Sequence, residues 1–181
     1  ACEGMKLPDE NTFTAADKAF CVLTGCDYGC SVKVTKRIPT GGGLGGGSSN
    51  ASSFIKSIDM LCGSKLSAEA MNSIAAQVGS DVFFFTNALI ADEQSVYEYK
   101  PYTALVTGRG ENVKQIPSRE ELTILLVFPG VFVSTKEAYS LVDEQISLQN
   151  TAFCKEWSNQ FDLSKEFRKP VAEWQFVNDF T

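Results

Sequence analysis

The stretch Ile38-Pro39-Thr40-Gly41-Gly42-Gly43-Leu44-Gly45-Gly46-Gly47-Ser48-Ser49-Asn50 decides how this chain is read. It sets glycines on both sides of a single leucine and ends in two hydroxyls. Glycine lets a backbone take positive φ and lets its N–H groups approach an anion closely. The segment Cys30 to Ile38 enters the run with Val32, Val34 and Lys36 on one face, which predicts a strand. Ala51, Phe54, Ile55, Ile58 and Leu61 leave it at helical spacing, which predicts a helix from about Ser49 to Leu61, stopped near Gly63. A helix that starts behind a glycine turn offers unpaired N–H groups and the positive end of its dipole. Strand, glycine loop and helix in that order form the context of a phosphate cradle.

Composition alone also fits a flexible Gly/Ser linker. Leu44 weighs against the linker, because the reading gives it a buried place in an ordered loop. The run is not a Walker A loop, since Gly47 is followed by Ser48 and Ser49 where that motif has lysine. A match to Gly-x-Gly-x-x-Gly carries little weight in so glycine-dense a run. With no lysine inside the loop, phosphate charge falls to backbone dipoles, the hydroxyls and a metal ion.

The chain has 181 residues, 16 Lys and Arg against 22 Asp and Glu, a net charge of −6 and no histidine. This balance points away from nucleic acid as the main partner. The absence of histidine excludes Ser-His-Asp and Cys-His nucleophile systems, so acid–base work falls to carboxylates, lysines or tyrosines. No apolar run approaches the length of a membrane span. Of the six cysteines, Cys26 and Cys30 form the one close pair. They do not match a zinc-finger spacing, and Cys21 and Cys62 read as small buried residues on helical faces. Reduced thiols in a reducing compartment are the expectation.

Elsewhere, Phe13, Ala16, Phe20 and Leu23 predict a first helix capped by Thr12 or Thr14 and stopped at Gly25. Ser67 caps a helix from Ala68 to Val78, closed by Gly79. Val82 to Phe85 reads as a buried strand with Asp81 at its mouth. Ala88 to Tyr102 is irregular, Ala104 to Thr107 a short strand, and Gly108 to Glu111 a turn. Leu122 to Val127 reads as a second buried strand. Ser134 or Thr135 caps a helix from Lys136 to about Asp143. Val171 to Phe180 carries Trp174, Phe176, Val177 and Phe180 as an apolar helical face. A domain boundary is expected between about 140 and 170, giving domains 1–150 and 151–181.

The glycine loop with Ser48-Ser49-Asn50-Ala51 resembles the central phosphate loop of the GHMP kinases. The doubled Gly-Gly-Gly is most similar to the branch that phosphorylates 4-diphosphocytidyl-2-C-methyl-D-erythritol in non-mevalonate isoprenoid biosynthesis. Asp9-Glu10-Asn11, Lys36-Arg37-Ile38-Pro39, Gly79-Ser80-Asp81-Val82 and Gly108-Arg109-Gly110-Glu111 resemble further motifs of that branch, in its order. So do the segment Pro129 to Tyr139 and Asn178-Asp179-Phe180. The resemblance implies an α+β fold, with a first domain similar to the second domain of ribosomal protein S5 and the start of a ferredoxin-like domain after it. It implies ATP and Mg2+ as cofactors and a small cytidine-diphosphate-linked alcohol as substrate, phosphorylated on its 2-hydroxyl. By the same resemblance, Lys36, Pro39, Gly41, Gly42, Gly43, Leu44, Gly45, Gly46, Gly47, Ser48 and Ser49 bind the nucleotide. Lys36 falls near the adenosine, Ser48 or Ser49 meets the metal, and Asp81 takes the proton of the attacking hydroxyl. The resemblance leaves open another GHMP kinase of homoserine or mevalonate type, and a nucleotide-binding relic. The implied compartment is the cytoplasm, or a plastid if a transit peptide is missing; oligomeric state is left open.

The sequence departs from the family at several points. The lysine-bearing Pro-Ala-Lys-Ile-Asn-Leu strand is missing, and Lys6 does not replace it. The substrate-side histidine and the C-terminal Gly-Ser-Gly loop are missing too. Phe83 stands where the family has proline, and residues 86–102 look like extra sequence. The chain reads as the central part of such a kinase, expected as it stands to bind ATP weakly and to catalyse poorly.

Overall fold

The computed structural model describes residues 8–39, 41–91, 101–128, 130, 134–149 and 162–176. The chain divides into two compact units, residues 1–123 and 124–181. In the first unit, α1 (Thr12–Thr24), α2 (Gly46–Cys62), α3 (Ala68–Val78) and α4 (Ser80–Ala91) are followed by β1 (Thr103–Thr107) and β2 (Asn112–Ile116). It is a mixed fold of packed helices with one two-stranded sheet.

Helix α1 is capped by Asn11, not by the expected Thr12 or Thr14. The Asn11 side chain accepts from the N–H groups of Phe13 and Thr14, and the Thr14 hydroxyl takes the Asn11 N–H, closing a capping box. The short Asn11 side chain reaches two orphan donors from an extended backbone, which Thr12 cannot do from inside the helix. Ser67 caps α3 as expected, accepting from Ala70 at 3.2 Å. Gly25 and Gly63 end α1 and α2 with φ of 67° and 63°, a left-handed stop open to glycine without steric cost.

The core lies among these helices. Ala16, Ala19 and Phe20 of α1 meet Ala51, Phe54, Ile55 and Ile58 of α2, with Ile74 and Ala75 of α3 and Val82 and Phe83 of α4. The α1 and α2 sets repeat at three- and four-residue spacing, which puts each on one helical face. Burying each of Phe20, Ile55, Ile58, Ile74 and Val82 contributes about 1.5–3 kcal/mol. Leu23 and Leu61, expected on the same faces, are instead exposed, because both lie in last turns that run past the core. Cys21 and Cys62 are half-buried rather than buried.

Three expected strands are absent. Val82 to Phe85 lies inside α4, where Val82, Phe83 and Thr86 are buried at helical spacing against α2 and α3. A run of four apolar residues has no period of its own, and the available helical faces decide its state. Cys30 to Ile38 is extended but unpaired among the described residues, with Val32 exposed and Val34 half-buried. Leu122 to Val127 likewise forms no strand, and Ile124 to Phe128 stand exposed. A strand needs a neighbour for its backbone groups, and the one described sheet is a closed hairpin.

That hairpin pairs Thr103 with Ile116 through Thr107 with Asn112, antiparallel, across the turn Gly108 to Glu111. Its first strand matches the expected one, whereas β2 carries weak alternation and no sequence signal marked it. Val113 reaches the helical core from β2, and Tyr102 stacks edge-on to Phe84 of α4 at 5.4 Å.

In the second unit, α5 (Thr135–Gln149) runs longer than expected, with Glu137 N–H donating to the Ser134 hydroxyl at 3.4 Å. Helix α6 (Leu163–Arg168) follows, and then a short 3-10 turn, Val171–Glu173. Trp174 and Phe176 thus leave the helical face expected for them. Phe167 and Trp174 stack at 5.8 Å, and proline at 170 turns the chain so that the rings meet. Residues 177–180 of that expected face lie outside the described residues. Glu166 is buried here, its carboxylate 2.7 Å from the Lys169 ammonium and accepting the Gln175 N–H at 2.7 Å.

Two outcomes follow from this packing. Ser52 of α2 donates to the Val82 carbonyl at 3.1 Å and shares a 2.9 Å hydrogen bond with Thr86, both buried. Ser52→Ala leaves the Thr86 hydroxyl without this partner and lowers stability by about 1–3 kcal/mol. Urea unfolding should show a lower midpoint at unchanged slope; an unchanged midpoint contradicts the role given to Ser52. In the second unit, the Lys169 hydrogen bond lowers the Glu166 pKa below its ordinary 4.5, against the opposing effect of burial. A depressed folded value gives stability that is complete above the unfolded pKa and is lost as pH falls through the folded one. Trp174 emission in a Trp157→Phe background should therefore report loosening only below pH 4.5, and Glu166→Gln should flatten that transition.

Candidate functional site

The glycine loop leads into α2 three residues earlier than its sequence indicates. Gly41, Gly43 and Gly45 have φ of 74°, 68° and 61°, and Gly45 is the residue on which α2 starts. The Ser49 N–H donates to the Gly45 carbonyl at 2.8 Å, which closes the first helical turn. The N–H groups of Gly46, Gly47 and Ser48 therefore precede any intrahelical carbonyl and lie at the positive end of the dipole. Glycine is required at Gly45, where φ is positive and a Cβ would lie 2.7 Å from the Phe85 ring of α4. At Gly46 a Cβ would lie 3.2 Å from Ile38, a tight contact. The Thr12 hydroxyl at the start of α1 donates to the Gly47 carbonyl at 3.4 Å and ties that helix to the loop.

Beside the loop lies a cleft of about 280 Å³ lined by Thr35, Lys36, Arg37, Ile38, Gly46 and Asn50. The Lys36 ammonium sits 3.7 Å from the position of a Cβ on Gly46. A cation thus stands at the start of α2 even though the loop itself contains none. The signal lay in the alternation of Val34, Lys36 and Ile38, which sends Lys36 and Ile38 to one side of an extended chain.

Asp81 is exposed in the first turn of α4, behind Gly79. Phe85, whose ring touches Gly45, lies one turn further along the same helical face. The Ser52 hydrogen bonds to Val82 and Thr86 fix α2 against α4 at this level. The hairpin turn closes a third side: Gly110, with φ of 114°, is buried against the backbone of Ser80, where a Cβ would collide with the Ser80 carbonyl. The loop, the start of α4 and the hairpin turn therefore meet in one region. Ser52, Phe85, Gly110 and Thr12 assemble it; of these, only Gly110 lies in a motif that the sequence marked.

The other anticipated residues fall around the same loop. Ser48 and Ser49 are half-buried in the first turn of α2; Pro39, Gly41, Gly42, Gly43 and Gly47 are exposed. Leu44 is exposed as well, against its expected burial, because the tip of the loop projects beyond the helical core. Arg109 is an exposed turn residue whose N–H donates to the Glu111 carboxylate at 2.6 Å. Thr40 lies outside the described residues. Chemically, the region offers N–H donors at a helix start, two hydroxyls, an ammonium and a carboxylate on a neighbouring helix. These are the groups that hold an anion and orient an alcohol beside it.

Residues 11–88 match the GHMP kinases N terminal domain. A 4-diphosphocytidyl-2-C-methyl-D-erythritol kinase of Treponema pallidum is 35% identical over 186 residues, covering 96% of this chain and 56% of the relative. The protein of that name from Thermotoga petrophila is 41% identical over 133 residues, covering 74% of this chain and 44% of the relative. The one from Prochlorococcus marinus is 31% identical over 173 residues, covering 95% and 49%. The chain spans about half the length of these curated relatives. No solved structure matches it, and no helix among the described residues is long and apolar enough to cross a membrane. The region built on Gly45, Lys36 and Asp81 falls within residues 11–88, the part of the chain that is similar to the GHMP kinases N terminal domain.

Proposed function

We propose that the chain is the nucleotide-binding portion of a kinase that transfers the γ-phosphate of ATP to the 2-hydroxyl of 4-diphosphocytidyl-2-C-methyl-D-erythritol. The observation that carries this reading is the contact of Gly45 with Phe85, which seats a glycine-started helix one turn from Asp81. The names of the relatives supply the acceptor. The S5-like first domain, a ferredoxin-like second domain and a cytoplasmic location belong to the same reading.

In this mechanism the N–H groups of Gly46, Gly47 and Ser48 hold phosphate oxygens, with glycines at 41–45 curving the loop around them. Lys36 neutralises phosphate charge, a role closer to the phosphates than to adenosine. Asp81 accepts the hydroxyl proton as the acceptor oxygen attacks. A carboxylate suffices, because proton transfer comes late in a loose transition state and positioning supplies most of the rate. No group of three or more Cys, Asp or Glu gathers as a metal site among the described residues. That fits magnesium, which binds through few protein ligands and through the phosphates of the nucleotide. The Ser48 or Ser49 hydroxyl would be its protein contact, and the ion would supply positive charge to the phosphates.

In the full-length protein, Asp81→Asn should lower kcat by about 10²–10⁴ while leaving ATP affinity nearly unchanged. Turnover close to wild type would remove Asp81 from the chemistry. Nucleotide titration calorimetry on this chain tests the loop separately. Gly45→Ala forces a Cβ into the Phe85 ring at positive φ and should weaken ATP binding more than Gly47→Ala, where a Cβ meets nothing within 4 Å. Equal losses would show that the Gly45–Phe85 approach does not shape the nucleotide site.

A further inference from the structure

The hairpin of β1 and β2 meets α4 at both of its ends. At the turn, Gly110 is buried against the backbone of Ser80. At the open end, the Tyr102 ring, just ahead of β1, stands 5.4 Å from Phe84 at an interplanar angle of 62°. The chain on both sides of Tyr102 is tied to Ser118. Its hydroxyl accepts from the Thr103 hydroxyl at 3.0 Å and donates to the Pro101 carbonyl at 3.4 Å. Phe84 in turn stands edge-on to Phe85 at 5.2 Å and 83°. Successive residues on a helix point about 100° apart, so α4 turns Phe84 toward the hairpin and Phe85 toward the glycine loop. There the Phe85 ring fills the place of a Cβ on Gly45, with Cε2 and Cζ 2.7 and 2.9 Å from that point. Tyr102, Phe84 and Phe85 are all half-buried.

We propose that Tyr102 is a positioning residue of the glycine loop: its ring, through Phe84 and Phe85, holds Gly45 where α2 begins. An edge-to-face pair sets ring orientation as well as distance, because the positive edge of one ring seeks the negative face of the other. Such pairs in series carry the position of the hairpin to the loop. Without Tyr102 the Phe84 ring loses its outer partner and Phe85 gains freedom to turn. The wall against Gly45 then loosens, and the Ser49 N–H bond to the Gly45 carbonyl, which closes the first turn of α2, opens more often. Tyr102 ends the stretch 86–102 that the sequence sets apart from the family's motifs. That the loop so held takes a nucleotide rests on the function proposed above; the link from Tyr102 to Gly45 rests on the ring contacts alone.

The test is amide hydrogen exchange on this chain by NMR, read at the Ser49 N–H and, as a control, at Ala75 in α3. Tyr102→Ala should speed exchange at Ser49 by about two- to tenfold, the size of one aromatic pair, and leave Ala75 unchanged. Tyr102→Phe, which keeps the ring, should retain the wild-type rate. Tyr102→Leu, which keeps apolar bulk without a ring, should behave as Tyr102→Ala and takes its place if that variant does not fold. An unchanged Ser49 rate, or equal acceleration at Ala75, overturns the proposal. ATP calorimetry on the same proteins reads the consequence: affinity should fall by a similar factor in Tyr102→Ala and return in Tyr102→Phe. Faster exchange at Ser49 with unchanged ATP affinity would also overturn it, because the loop would then bind without the position Tyr102 gives it. A wild-type chain that binds no ATP counts against the nucleotide reading, while the exchange rates still decide the link.

Discussion

The buried hydroxyl of Ser52 sets how the two helices of the site lie on each other. It donates to the Val82 carbonyl and shares a second hydrogen bond with Thr86, both buried. A buried hydroxyl is costly without partners, so α2 and α4 are restricted to placements that satisfy it. Ser52 is four residues after Ser48, one turn below the glycine start of α2. Val82 immediately follows Asp81. The pairing therefore links the phosphate loop to the carboxylate through side chains that touch neither.

Glycine serves two different needs along the same loop. At Gly41 and Gly43 it permits positive φ in an exposed turn. At Gly45 and Gly46 it also permits contact, with Phe85 and Ile38 packed where a Cβ would be. Gly110 meets the second need from another part of the chain, against the backbone of Ser80. The start of α4 is thereby held from two sides, by the loop through Phe85 and by the hairpin through Gly110. Asp81 gains a fixed position in this way without being buried.

Local signals in the sequence determined the glycine stops of α1 to α3, the Ser67 cap, most of the apolar faces of these helices and the hairpin turn. Glycine stops, the Ser67 cap and apolar spacing act over a few residues, so they are legible without a fold. Tertiary structure decided the rest. Val82 to Phe85 became helix because α2 and α3 offered faces for it, while Cys30 to Ile38 and Leu122 to Val127 found no strand partner among the described residues. It also placed Lys36 at the start of α2 and Phe85 against Gly45. Pairing and close approach depend on residues distant in sequence, and a single chain read in order carries no record of which of them will meet.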